Sequence, residues 1–190
     1  MGRWEPNARE RLERAALELF EERGYDSTTA AGIAERAGLA KSSFFRHFAD
    51  KREVLFGGQE VFNRLVADAI TGSPPEATPI EMLGAALDAV AVVFTDERRA
   101  LARRRQAIVA GHDDLREREL LKLAALTGCL SDALRGRGVP DPAAGLAAEL
   151  AGLAFRNAFA RWIDPANDQG FATIARQELK ALVAATATLT

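Results

Sequence analysis

Ser42, Ser43 and Arg46 share one outward face of a very short amphipathic segment, Lys41 to His47. Its other face carries Phe44, with Phe48 beyond its end, which at about 100° per residue fall together. Short hydroxyls and a guanidinium are the groups that hydrogen-bond to base edges in a DNA groove. Phe45 and His47 lie at the two edges of the segment, where a groove-bound helix meets the phosphate walls. Arg46 has two readings, a bidentate contact to guanine or a surface ion pair with Asp50 four residues on. Cations cluster around the same segment. Between Arg36 and Arg52 stand five (Arg36, Lys41, Arg46, Lys51, Arg52) against the single carboxylate of Asp50.

The cations are placed against local preference. Lys41 begins one helix, and Lys51 with Arg52 begins the next, although cations at a helix N-terminus oppose its dipole. The placement makes sense where an anion docks on the free N–H groups. Asp50 remains a competent N-cap, with Glu53 three residues on for a capping box.

The surrounding elements position this segment. Leu12, Ala15, Ala16, Leu19 and Phe20 form one stripe of a helix over Ala8 to Arg23, ended by Gly24 and followed by the packing residue Tyr25. Ser27, Thr28 and Thr29 open a second helix over Ala30 to Ala37, whose Ile33 and Ala34 face inward, and Gly38 turns the chain into Lys41–His47. Two helices joined by a tight glycine-containing turn are the pattern of a helix-turn-helix, which places its second helix in the major groove. Before them, Met1 to Asn7 read as a mobile polar arm, whose Arg3 can also be read as reaching a minor groove.

Residues 9–56 resemble the N-terminal DNA-binding domain of TetR-family transcriptional regulators. The matching residues are Ala15, Ala16, Leu19, Phe20, Gly24, Tyr25, Thr28, Thr29, Ile33, Ala34, Ala37, Gly38, the FFRHF run from Phe44 to Phe48, Lys51 and Leu55. The resemblance implies a homodimer on double-stranded operator DNA, usually repressing and released by a small molecule held in the C-terminal domain. The outward face and the resemblance together give the expected DNA contacts as Thr28, Thr29, Lys41, Ser42, Ser43, Phe45, Arg46, His47 and Lys51. Two positions depart from the family pattern. Phe45 stands where tyrosine is usual and lacks the hydroxyl that touches a phosphate. Ala40 stands where serine often caps the recognition helix, which leaves Ser42 or Ser43 to substitute. The stretch RRQAIVAGHDDLREREL is similar to one TetR subgroup, which includes regulators resembling the mycofactocin type, some of them responsive to acyl-CoA compounds.

The rest of the chain reads as helix. Lys51 to Ile70 forms one long segment with Gly57-Gly58 inside it, either a close helix-packing site or a hinge between domains. Thr71 to Pro79 is a linker. Further helices are expected over Pro79–Phe94, Glu97–Ala110, Asp113–Arg135, Ala143–Ile163 and Phe171–Val183. The fold class is therefore all-α, a three-helix head over residues 1–52 and a ligand-binding and dimerisation bundle over 53–190. The last two long helices are expected to form a two-fold interface, because Ala143–Ile163 is apolar nearly all round. Ala144, Ala148 and Gly152 recur there at every fourth residue.

Candidate ligand residues are Phe94, Arg105, Asn157, Phe159 and Trp162, with Phe155 beside them: aromatic walls, one amide needing a partner, and one arginine of the Arg103–Arg105 run turned inward. A cationic drug or an aromatic metabolite fits these residues as well as an acyl-CoA.

With 190 residues, 48% hydrophobic and 27% charged, the chain has the makeup of a globular protein, and a net charge of −2 requires any DNA-binding potential to be local. Two histidines, the single cysteine Cys129 and no glycine-rich phosphate loop offer no catalytic set, no metal site and no cofactor site. His112 before Asp113 and Asp114 reads as a helix-capping turn, and Cys129 as a small core residue. No apolar stretch approaches ~20 residues, and no signal peptide is visible, so a cytoplasmic, nucleoid-associated protein is expected. The competing class is a helical interaction or small-molecule-binding module with no role on DNA.

Overall fold

The computed structural model describes residues 8–189; the arm with Arg3 lies outside them. Among the described residues there are ten α-helices and no strand: α1 (Ala8–Arg23), α2 (Ala30–Arg36), α3 (Lys41–His47), α4 (Glu53–Phe56), α5 (Gln59–Thr71), α6 (Pro79–Ala91), α7 (Asp96–Ala110), α8 (Asp113–Gly136), α9 (Asp141–Trp162) and α10 (Phe171–Thr186). The protein is all-α, and none of these helices is long and apolar enough to cross a membrane.

The chain divides into two units: residues up to Gly57 together with Arg104–Glu119, and Gly58–Arg103 together with Leu120 onward. The first unit thus takes in the end of α7 and the start of α8 as well as the N-terminal helices. Its core is the α1 stripe (Leu12, Ala15, Ala16, Leu19, Phe20) with Ile33, Ala34, Phe44, Phe48, Leu55 and Phe56. Gly38 closes the turn between α2 and α3 at φ 67°, a conformation that side-chain-bearing residues avoid, and Arg11 donates to the Ala37 carbonyl at 2.5 Å to hold it.

The long helix expected from Lys51 to Ile70 does not form. It breaks at Gly57, which is extended, and Gly58, which is left-handed at φ 93°. Gly57 does mark a close packing point, since a Cβ there would clash with Arg9 Nη2 of α1, but neither glycine lies inside a helix. Their backbone conformation ends α4 and starts α5, and the division between the two units falls between them.

The second unit buries Val66, Ile70, Leu83, Leu87, Val90, Leu130, Leu134, Trp162, Phe171 and Ile174 in one core. α6 begins with Pro79 after a complete capping box between Thr78 and Glu81, which supplies acceptors to orphaned N–H groups. The stripe Ala144, Ala148, Gly152 faces inward rather than toward a partner: a Cβ at Gly152 would stand 2.8 Å from Thr127 Oγ1 of α8. What α9 turns outward is Leu146, exposed, with Leu150 and Leu153 half-buried.

Candidate nucleic-acid interface

α3 is anchored from below. Phe44 is fully buried, and Phe48 packs 5.6 Å from it, ring to ring. Lys41, Ser42, Phe45 and Arg46 are left exposed, and Ser43 half-exposed, on the other side. Ala40 caps the helix with its backbone alone, and its carbonyl accepts from Ser43 N–H at 2.9 Å. Neither Ser42 nor Ser43 takes over the capping, so both hydroxyls stay on the outer face.

The five cations are not equivalent. Arg36 is held bidentate by Glu22 at 2.9 and 2.7 Å and reaches Glu18 at 3.4 Å. Arg52 is paired with Asp50. The Lys51 ammonium donates to the carbonyls of Tyr25 at 2.8 Å and Asp26 at 3.2 Å and lies 4.2 Å from the Tyr25 ring centre. Lys51 therefore fastens the turn before α4 to the turn after α1, with one of its three N–H groups left for a phosphate. Asp50 is spent on Arg52 and on the N–H groups of Arg52 and Glu53, so Arg46 does not pair with it. Among the described residues, the two of these five cations whose charge meets no acceptor are Lys41, 5.9 Å over the Phe45 ring, and Arg46.

Two of the expected contact residues are placed otherwise. Thr28 is buried, and its hydroxyl reaches the carbonyls of Gly24 at 2.9 Å and Leu19 at 3.3 Å. It locks the end of α1 and cannot present that group to a phosphate. Thr29 beside it is exposed and caps α2 by accepting from Gly32 N–H at 3.1 Å, which leaves its own O–H proton to donate outward. His47 turns Nε2 inward, where no partner meets it. Desolvation, then the charges of Arg46 and Arg9, hold its pKa below the usual 6.5, so it is no phosphate-binding cation near neutral pH.

The sign of this shift fixes a pH dependence. Above about pH 6.5 the ring is neutral folded and unfolded alike. Below that value the unfolded chain takes up the proton first, so folding weakens until the folded form is also protonated. His47→Gln is expected to flatten the loss of stability between about pH 7 and about pH 5 relative to the parent, measured by urea unfolding. Parallel pH profiles would show that the ring is accommodated equally well in both protonation states.

The end of α7 and the start of α8 brace this unit. Arg104 grips Glu21 with two bonds of 2.7 Å, and Arg118 holds Glu53. Arg105 donates to the Leu55 carbonyl at 2.5 Å and pairs with Glu119 at 3.0 Å, its guanidinium 4.9 Å from the Phe56 ring. Burial pulls its pKa down while Glu119 opposes the shift. The inward-turned arginine of the run is thus a strut of the first unit and not a ligand contact. Glu119→Gln should cost about 2 kcal/mol in urea unfolding. That is below the about 3–5 kcal/mol for breaking a fully buried pair, because about a quarter of each side chain meets solvent.

This geometry, a short helix riding on a three-helix core with its hydroxyls and one guanidinium outward, has known counterparts. Residues 13–56 match the family model described as bacterial regulatory proteins, tetR family. Residues 13–56 thus form a domain of the TetR family. TcmR of Streptomyces glaucescens, an HTH-type transcriptional regulator, is 32% identical over 128 residues, which is 67% of this chain and 52% of TcmR. YerO of Bacillus subtilis, named as an uncharacterized HTH-type transcriptional regulator, is 27% identical over 84 residues, or 40% of this chain and 29% of YerO. The chain thus spans about half of one relative's length and under a third of the other's. Among solved structures, SmeT in complex with triclosan superposes with a TM-score of 0.64 at 21% identity, covering 95% of this chain and 91% of SmeT. FadR of Thermus thermophilus, a TetR-family repressor in complex with lauroyl-CoA, does so with a TM-score of 0.52 at 24% identity, over 92% and 93% of the two chains. At these identities the superpositions establish the TetR fold.

The candidate ligand residues do not converge on one place. Phe94, Phe159 and Trp162 do meet, together with Phe62, Phe155 and Phe171, in the core of the second unit. Asn157 does not join them. It lies on the other side of α9 and donates to Glu178 of α10 at 3.1 Å, so its amide already has a partner. Arg105 belongs to the first unit. Sequence reasoning missed Phe171, Phe62 and Arg99; the first two are apolar residues that spacing cannot distinguish from ordinary core.

Proposed function

We propose that the chain is a sequence-specific DNA-binding transcriptional regulator, acting as a homodimeric repressor that a small molecule in the second unit releases from its operator. The observation that carries this reading is the outer face of α3. It presents Lys41, Ser42, Ser43 and Arg46, and two of these are cations without a protein acceptor. Phosphate contacts from Lys41, Thr29 and the remaining N–H of Lys51 give affinity and register, while Ser42, Ser43 and Arg46 choose the sequence. Phe45, half exposed without a hydroxyl, offers an apolar edge suited to a thymine methyl.

Dimerisation rests on the outer side of α9 and α10. Taking the Asn157–Glu178 hydrogen bond as register, the antiparallel helices carry Leu153 level with Leu182. Leu150 and the exposed Leu146 extend the same apolar strip. One recognition helix reads only a half-site, and two-fold pairing supplies the second. Release by a ligand is a population shift, in which the ligand binds better to the conformer whose two α3 helices are wrongly spaced. Gly57-Gly58, between the two units, is the hinge of that change.

The test is the salt dependence of duplex binding. The parent should lose affinity steeply with rising salt, and Lys41→Ala should weaken binding to all sequences and reduce the slope of log affinity against log salt by about one. Salt-independent binding, or none, would point instead to an interaction module with no role on DNA.

A further inference from the structure

The aromatic core of the second unit contains two polar groups that packing does not explain. Trp162 is fully buried, and its indole Nε1–H meets no acceptor among the described residues. Arg99 lies with its guanidinium carbon 5.6 Å from the Trp162 ring. Its terminal nitrogens reach the carbonyls of Asn167 and Gln169 at 2.8 and 2.9 Å and the carboxylate of Asp96 at 2.7 Å. Its Nε–H, also buried, has no partner. Phenylalanine would fill the Trp162 position without a donor to satisfy, and buried indole N–H groups ordinarily find an acceptor.

The rings around these donors are not equally buried. Trp162 and Phe171 are fully buried on α9 and α10, whereas Phe94 is half-buried on the short loop between α6 and α7. Phe94 lies stacked on Phe171, centroids 4.1 Å apart and planes 23° from parallel, and edge-on to Trp162 at 5.3 Å. It therefore occupies the place a flat guest would take, on a loop rather than within a helix.

We infer that this cluster binds a planar aromatic molecule bearing a phenolate or carboxylate oxygen, whose ring replaces Phe94 on Phe171 and whose oxygen accepts the N–H groups of Trp162 and Arg99. The inference rests on the reading that the second unit takes a small ligand, and it narrows the choice left open by the sequence. A cation is disfavoured because the charged group facing Trp162 is itself a guanidinium. A purely aliphatic guest would leave both donors unmet. Phe94 lies just before α7, a helix whose residues are divided between the two units.

The experiment is titration of the full chain with naphthalene carboxylate, against methylnaphthalene and cyclohexane carboxylate, by calorimetry and by nitrogen-edited NMR of the indole N–H groups. The naphthoate is expected to bind better than either control and to move the Trp162 indole resonance, identified by its loss in Trp162→Phe. That variant, which keeps a ring and loses the donor, should bind about tenfold more weakly, and Phe94→Ala should bind more tightly because the competing ring is gone. If Trp162→Phe does not fold, the resonance shift in the parent decides. An unmoved resonance, equal binding of cyclohexane carboxylate, or undiminished affinity in Trp162→Phe would each overturn the proposal. Binding is read without DNA, so a chain that takes naphthoate but no duplex keeps this site and refutes the regulator, and the reverse refutes this site alone.

Discussion

Replacing Phe44 by alanine should strongly destabilise the first unit, while replacing its neighbour Phe45 by alanine should barely alter it. Phe44 is fully buried beneath α3, against Phe48, whereas Phe45 is 50% exposed. Truncating a buried phenylalanine costs about 3–5 kcal/mol, a large part of the about 5–15 kcal/mol that holds a domain together. Truncating an exposed one stays within about 0.5 kcal/mol. α3 has only seven residues and no side-chain cap, too short to persist alone, so it exists because Phe44 and Phe48 pin it to α1 and α2. Urea unfolding followed by circular dichroism measures both variants. Equal destabilisation, or a Phe44→Ala loss below about 1 kcal/mol, would show that α3 is held by something other than this face.

The second large effect concerns Arg46. Among the described residues it has neither carboxylate nor carbonyl to pair with, unlike Arg36 and Arg52 on either side of it. Arg46→Ala should leave the fold intact and cost about 1–3 kcal/mol of binding at one base pair of each half-site. Once that base pair is changed, the parent should lose affinity while the variant does not. Lys41→Ala should give the contrasting pattern, a weakening uniform across sequences. Discrimination unchanged in Arg46→Ala would move sequence choice to Ser42 and Ser43.

Much of this was legible before any coordinates. Gly24 and Gly38 end helices in left-handed backbone that other residues avoid, and the expected bounds of α1, α3 and α6 to α10 lie within a few residues of those found. The break at Gly57-Gly58 was hidden because apolar spacing runs through it: Leu55, Phe62 and Val66 keep a helical period on either side. Thr28 could not be told from Thr29 by type. Which of two adjacent hydroxyls is buried depends on where the end of α1 lies, a tertiary fact. The inward turn of Arg105 has no local signal, since it follows Arg103 and Arg104 in a run of like residues. The small-residue stripe of α9 was visible, but not whether α8 or a second chain covers it. The misplacement of Asn157 was avoidable: Phe155, Phe159 and Trp162 share one helical face, and a residue two positions from Phe155 falls nearly opposite.

The most direct test of the account is selection of bound duplexes from a random DNA pool by the purified protein, followed by sequencing. A dimer reading DNA through two copies of α3 predicts a near-palindrome whose half-sites are spaced by about one helical turn, about 34–36 Å, and loses one conserved base pair per half-site in Arg46→Ala. Recovery of no enriched sequence, or of a motif that Arg46→Ala and Ser42→Ala leave unchanged, would contradict it.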